Sequence, residues 1–417
     1  MDLSGITYAS TITSKLMPYA LNNTAEILSS TVQKNMNRNK KIIQDSSIPV
    51  FSDNEPLYTV DDVANTMEHV LGIEYGTKLK ITENIEVQFI QNGHLLGASS
   101  ILVTIRFSKE KPIHLYFTGD YSKSNLFFDI KSIPKNILEL PVNIITESTY
   151  GTSSINDIKK VFDANIIGAV ERKETIIVPV FSLGRSQEIL LKMKQLQSSK
   201  LLSKDVPIYL DGKLAQNYTQ FYLDNKEYLK SSNDIRNFLP ENLTMITEFE
   251  ERQKLLTDRN TKIILTTSGM GSYGPAQVYL LYYISRPKCT IHFCGYTTPN
   301  TFGNKIKEIG NGELFELNGV MTKKQATVLT TNEFSGHAKK EDLLSLISSF
   351  KDIKSILINH GDADVKVKFA KYLMDNVKTK STCILSPQNY IRIGAYGLLK
   401  SFSSNDSNFN ITDWKTR

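Results

Sequence analysis

The sequence predicts an α/β protein, and three observations predict it. Residues 85–145 carry short β-rich runs separated by Gly, Asn and Lys, with little helical periodicity. After residue 152, strand-like runs alternate with helix-like runs, the rhythm of a parallel sheet with crossover helices. That rhythm returns in the last part of the chain. A length of 417 residues exceeds one small domain, since roughly 100–200 residues per domain is usual.

In chain order, residues 14–32 read as a helix interrupted near Pro18, followed by a basic run at 37–41 that reads as a solvated face. Strands are expected at 86–90, 101–106, 114–117 and 143–145. A helix is expected at 158–170, where apolar residues recur at helical spacing, then a strand at 175–180 and a helix at 186–196. Strands at 207–210 and 262–265, a helix at 276–284 and a strand at 290–294 continue the series. The last part reads as helix 341–350, strand 355–358, helix 365–374 and strand 382–385, with a polar tail from 401 expected to fray.

Composition narrows the function classes. With 40% hydrophobic and 22% charged residues the chain can bury a core and does not resemble a disordered one. A formal charge of +6 tolerates an anionic partner such as nucleic acid without requiring one. Three cysteines are too few for a disulfide framework and point to a reducing compartment, hence a cytoplasmic expectation. No leader-like opening and no apolar run of about 18 residues is present, so no membrane association is expected.

Five polar clusters follow apolar strands or sit beside small residues, where loops carry reactive groups. They are Gly93-His94-Leu95-Leu96-Gly97, Thr118-Gly119-Asp120, Glu147-Ser148-Thr149-Tyr150-Gly151, Phe334-Ser335-Gly336-His337-Ala338 and Asn359-His360-Gly361-Asp362. Each alone reads as an ordinary turn. Together they offer three imidazoles and two carboxylates, and such groups suit zinc when distant loops converge. No two histidines have HxxxH or HxH spacing, so any metal site is assembled from separate segments. His114 and His292 read as sheet residues and His69 as a helix residue. A phosphate loop at 269–274 is disfavoured, because no GxxxxGK[ST] pattern is present.

The ordered set of His94 in GHLLG, Asp120 in YFTGD, Glu147 in ESTYGT, His337 in FSGHA and His360 in INHGD resembles the metallo-β-lactamase-fold nucleases of the β-CASP family. That family includes the mRNA 3′-end processing endonuclease and ribonuclease J. The stretch PVFSLGRSQE at 179–188, Ser268-Gly269-Met270, and Gly295-Tyr296 with Gly303 look like further family segments, so the resemblance covers about residues 55–390. It implies an αββα metallo-β-lactamase fold, N-terminally incomplete, with an inserted β-CASP α/β domain. The implied division is 1–152 for the truncated first part of the lactamase domain, 153–333 for the β-CASP domain and 334–417 for the second part. It further implies two zinc ions, with His94, Asp120 and His360 as ligands and Asp120 shared. His337 would protonate the leaving oxygen, Glu147 would orient it, and Arg185 and Ser268 would contact substrate phosphate. The implied partners are RNA and either a second copy of the chain or a processing complex.

The sequence departs from the family at one place. The HxHxDH block that supplies four ligands is absent, although the family pattern puts it ahead of the segment Tyr8-Ala9-Ser10 to Ile27. One zinc would keep His94 and Asp120, the other Asp120 and His360, below the three protein ligands usual for catalytic zinc. Two explanations follow: an N-terminally truncated form of an active RNA hydrolase, which the intact downstream motifs favour, or a non-catalytic relative acting as an RNA-binding or scaffold subunit.

Overall fold

Alternation of fully apolar strands with helices builds the first of two compact units. The structure, a computed structural model, describes residues 5–43, 55–107, 110–317, 320–379, 381–385 and 389–403. The first unit gathers the described residues up to Gly72, Leu126–Phe128 and Lys159–Ser335; the second gathers Ile73–Asn125, Asp129–Ile158 and the described residues from Gly336 on.

The first unit is organised on a six-stranded sheet in the order Leu243–Ile246, Ile208–Asp211, Lys262–Thr266, Thr175–Pro179, Cys289–Phe293, Thr327–Thr330. All five pairings are parallel. Its three central strands are buried at every position, as a sheet covered on both faces demands. Helix Phe162–Glu171 starts four residues later than the periodicity suggests, because the backbone N–H groups of Val161 and Phe162 donate to Oε1 of Glu333. The helix Thr11–Ile43 runs through Pro18 without interruption. One lost backbone bond is offset by packing: Ile12, Leu16 and Ala25 are buried, and the ring of Tyr19 meets Tyr218 and Phe221 edge-on. That packing joins the described residues up to Gly72 to 159–335 in one compact unit. The side chains of the basic run at 37–41 lie outside the described residues.

The second unit carries a separate seven-stranded sheet in the order Thr382–Ile384, Asp352–Ile358, Pro141–Thr146, Ile113–Phe117, Ser99–Ile105, Ile85–Gln91, Lys78–Lys80. The first four run parallel and the rest alternate. The late strand Asp352–Ile358 thus pairs with Pro141–Thr146, so the chain returns to this sheet after building the other one, as expected. Helices Lys340–Ser348 and Ala363–Asn376 cover one face, with Leu343, Ile347, Phe369 and Leu373 against Tyr116, Ile144 and Ile356. The strands Asn389–Gly394 and Gly397–Ser403 form a hairpin, so the tail expected from 401 begins inside a strand; residues 404–417 lie outside the described ones.

Register decides where the loops emerge. Phe117 pairs with Ile145 and Ile358 with Thr146, so three parallel strands end level with one another. Gln91 pairs with Ser99 and Ile101 with Phe117, which brings the 92–98 turn to the same end. Four of the five polar clusters therefore leave one edge of one sheet.

Candidate metal centre

His94 is set by its own turn. Its backbone N–H donates to Oδ1 of Asn92 (3.3 Å), and Asn92 Nδ2 donates to the Thr118 carbonyl (3.1 Å). At Gly93 a Cβ would sit 2.3 Å from the Ser122 carbonyl, so only glycine lets the turn close this tightly. The ring Nδ1 donates to the Gly336 carbonyl at 2.7 Å, and a carbonyl can only accept. In neutral His94 the lone pair is consequently on Nε2, which lies 3.7 Å from Oδ2 of Asp120. Burial pushes the imidazole below its ordinary range, against the bond to Gly336, and favours the neutral form that binds metal.

Asp120 follows Gly119, whose φ of +59° turns the chain where a Cβ would lie 2.9 Å from the Ser99 carbonyl. On its other side, Oδ1 of Asp120 lies 3.6 Å from Nε2 of His360. His360 is the most open of the group, with 56% of its side chain exposed. Its position is fixed through its backbone: the N–H and Oγ of Ser148 both donate to the His360 carbonyl, at 2.8 and 2.9 Å.

His337 reaches the same place from the second unit's last segment, where the N–H of Ala338 donates to the Tyr121 carbonyl. Its Nδ1 donates to Oε2 of Glu147 at 2.8 Å, and the backbone N–H of Tyr121 donates to Oε1 of that carboxylate. Burial alone would lower His337, but the Glu147 bond and charge outweigh it and hold the imidazole above its ordinary value. The His337 ring centroid lies 4.6 Å from that of His94 and 6.0 Å from that of His360.

All five predicted residues of this group come together. One ligand atom each from His94, Asp120 and His337 lie within 4.8 Å of one another, with His360 joined through Asp120. The imidazoles of His94 and His360, with Nε2 of each facing one oxygen of the Asp120 carboxylate, form a donor set that fits a zinc ion. Arg185 and Ser268 belong to the other unit. Arg185 opens the helix Arg185–Ser198 with Nε 3.5 Å from Glu188 and its guanidinium over the Phe334 ring; Ser268 is half-buried and donates to the Tyr273 carbonyl. Sequence reasoning missed Lys339. It is buried with its ammonium 3.6 Å from the centre of the Tyr150 ring, while its neighbour Lys340 carries the same letter and a partly exposed side chain.

A mixed sheet presenting imidazoles and carboxylates from the ends of its strands, in a chain with a second parallel sheet, is the architecture of the metallo-β-lactamase fold with an inserted domain. Residues 186–306 match the Beta-Casp domain family, and residues 323–385 match the Zn-dependent metallo-hydrolase RNA specificity domain. Over those two segments the chain carries the domains of the β-CASP family of metallo-β-lactamase-fold nucleases, the family it resembles. It is 27% identical over 351 residues to the transcription termination factor FttA of Methanosarcina mazei, covering 77% of this chain and 52% of that protein. RNase aCSPSF2 of Saccharolobus solfataricus is 27% identical over 331 residues, 79% of this chain and 62% of its own length. An RNase J-like protein of Methanocaldococcus jannaschii is 29% identical over 328 residues, 77% of this chain and 74% of its own. The chain thus spans about half to three fifths of the first two relatives. Among the described residues no helix is long and apolar enough to cross a membrane.

Proposed function

We propose that this chain is a zinc-dependent RNA phosphodiester hydrolase of the RNA-processing or decay type, acting in the cytoplasm. Residues 1–152 and 334–417 would supply the lactamase part and 153–333 the β-CASP part. The observation that carries the reading is the opposite tuning of two neighbouring imidazoles. His94 is pushed toward its neutral form with Nε2 facing Asp120, which suits a ligand. His337 is held toward its charged form by Glu147, which suits a proton donor. Accordingly His94, Asp120 and His360 are assigned as zinc ligands, and His337 as the acid that delivers the Nε2 proton to the leaving oxygen. Glu147 orients His337 by holding its Nδ1. Bound at this site, zinc would supply Lewis-acid stabilisation of charge on phosphorus oxygens and a lowered water pKa. Arg185 and Ser268 are assigned to substrate phosphate, by family position and chemistry.

Because no HxHxDH block occurs in this sequence, the metal is expected to bind weakly and turnover to be slow. The second reading is a non-catalytic RNA-binding or scaffold subunit. The test is zinc content together with cleavage of a labelled RNA by the purified chain. Sub-stoichiometric zinc and slow, chelator-sensitive cleavage lost in His337→Ala support the first reading. RNA binding without any chelator-sensitive cleavage supports the second. Stoichiometric zinc with brisk cleavage would show that further residues complete the site.

A further inference from the structure

Lys339 breaks three rules at once. It is 4% exposed, although lysine is seldom buried without a partner. Its ammonium makes no hydrogen bond or close ion pair among the described residues, the carboxylates of Asp157 and Glu341 act on it only from farther off, and it rests on the face of Tyr150, 3.6 Å from the ring centre. It is also the N-cap of helix Lys340–Ser348, the end where the helix dipole disfavours a cation. The same Tyr150 ring meets the His337 ring edge-on at 6.1 Å, and Tyr150 pairs with Lys339 through a parallel backbone bridge. An anion arriving in a complex would offset the cost of holding that charge.

We propose that Lys339 is a phosphate-contacting residue, which takes a non-bridging oxygen of an RNA phosphate beside His337 while Tyr150 holds its ammonium in place. The inference rests on the RNA reading of the site and adds a contact to it. The backbone N–H groups of the helix N-terminus and the ammonium can both donate to a phosphate oxygen there, beside the first-turn carboxylates of Glu341 and Asp342. Neither the nucleobase nor a metal is needed for this contact, so it can be measured on metal-stripped protein.

The experiment compares wild type, Lys339→Met, Lys339→Arg and Lys351→Met, all treated with EDTA, for binding of a short fluorescent single-stranded RNA over a range of salt. Lys351 is an exposed lysine paired with Glu139 and controls for net charge. Lys339→Met is expected to bind roughly tenfold more weakly, with the slope of log affinity on log salt reduced by about 0.7, one phosphate's worth on a single strand. Its melting temperature is expected to equal or exceed that of wild type, because a buried charge has been removed. Lys339→Arg should retain most of the affinity and Lys351→Met nearly all of it. A lowered melting temperature with unchanged affinity and slope would make Lys339 structural and overturn the inference while leaving the hydrolase reading intact. Wild type that binds no RNA would overturn both.

Discussion

Nδ1 of His337 lies 2.8 Å from Oε2 of Glu147 across 190 residues of chain, and this bond favours the charged imidazole. Burial works against the proton on His337, and the carboxylate restores it. In Glu147→Gln the hydrogen bond can persist while the charge is lost, so the His337 titration is expected to move down in the metal-free chain. An NMR titration of the histidine ring signals measures this. An unchanged His337 titration would mean that Glu147 holds the ring without setting its charge.

The turn after His360 is expected to be intolerant of any side chain. Gly361 has a φ of +131°, and a Cβ there would lie 2.6 Å from Oγ of Ser148, the group that holds the His360 carbonyl. Gly361→Ala should cost about 1–3 kcal/mol in urea unfolding. It should also weaken zinc binding, because His360 is displaced. A variant of wild-type stability and zinc affinity would show that the loop re-forms freely.

Stability of the first unit should fall below neutral pH. His292 is fully buried in the strand Cys289–Phe293, its Nε2 accepts from Nδ2 of Asn165 at 3.0 Å, and burial pushes its pKa down to about 4. The unfolded chain takes up that proton near pH 6.5 and the folded chain does not, so this contribution is complete above about pH 6.5 and is lost as the pH falls toward about 4. The loss amounts to roughly 2–4 kcal/mol, and His292→Phe should flatten that part of the pH–stability curve. Equal slopes in both proteins would remove His292 as the cause.

Asp211 should be among the costliest residues to truncate. Its side chain is 1% exposed and accepts from Arg252 Nε and Nη2 at 2.6 and 2.8 Å and from the Tyr279 hydroxyl at 2.8 Å. Asp211→Ala leaves a partly buried guanidinium uncompensated, for a loss of roughly 3–5 kcal/mol in denaturant unfolding. A loss below about 1 kcal/mol would mean that Arg252 finds water or another acceptor.

The sequence by itself determined the strand–helix rhythm, the two separate sheets and the identity of the five clustered residues. Strand composition and glycine-flanked polar turns are local properties, written in consecutive letters. His94 and Asp120 stand beside glycines that their turns require, and that requirement is visible in the chain. Only the tertiary structure decided the rest. Whether Pro18 breaks its helix depends on Tyr19 finding Tyr218 and Phe221 some 200 residues away. Which imidazole leans toward its neutral form and which toward its charged form depends on the burial of His94 and on the Glu147 carboxylate beside His337, neither of which adjacent letters record. Lys339 and Lys340 are the same letter twice, and only packing against Tyr150 separates a buried ammonium from a partly exposed one. Charge state and burial are set by neighbours in space, and those neighbours exist only once the loops have been brought to one edge of the sheet.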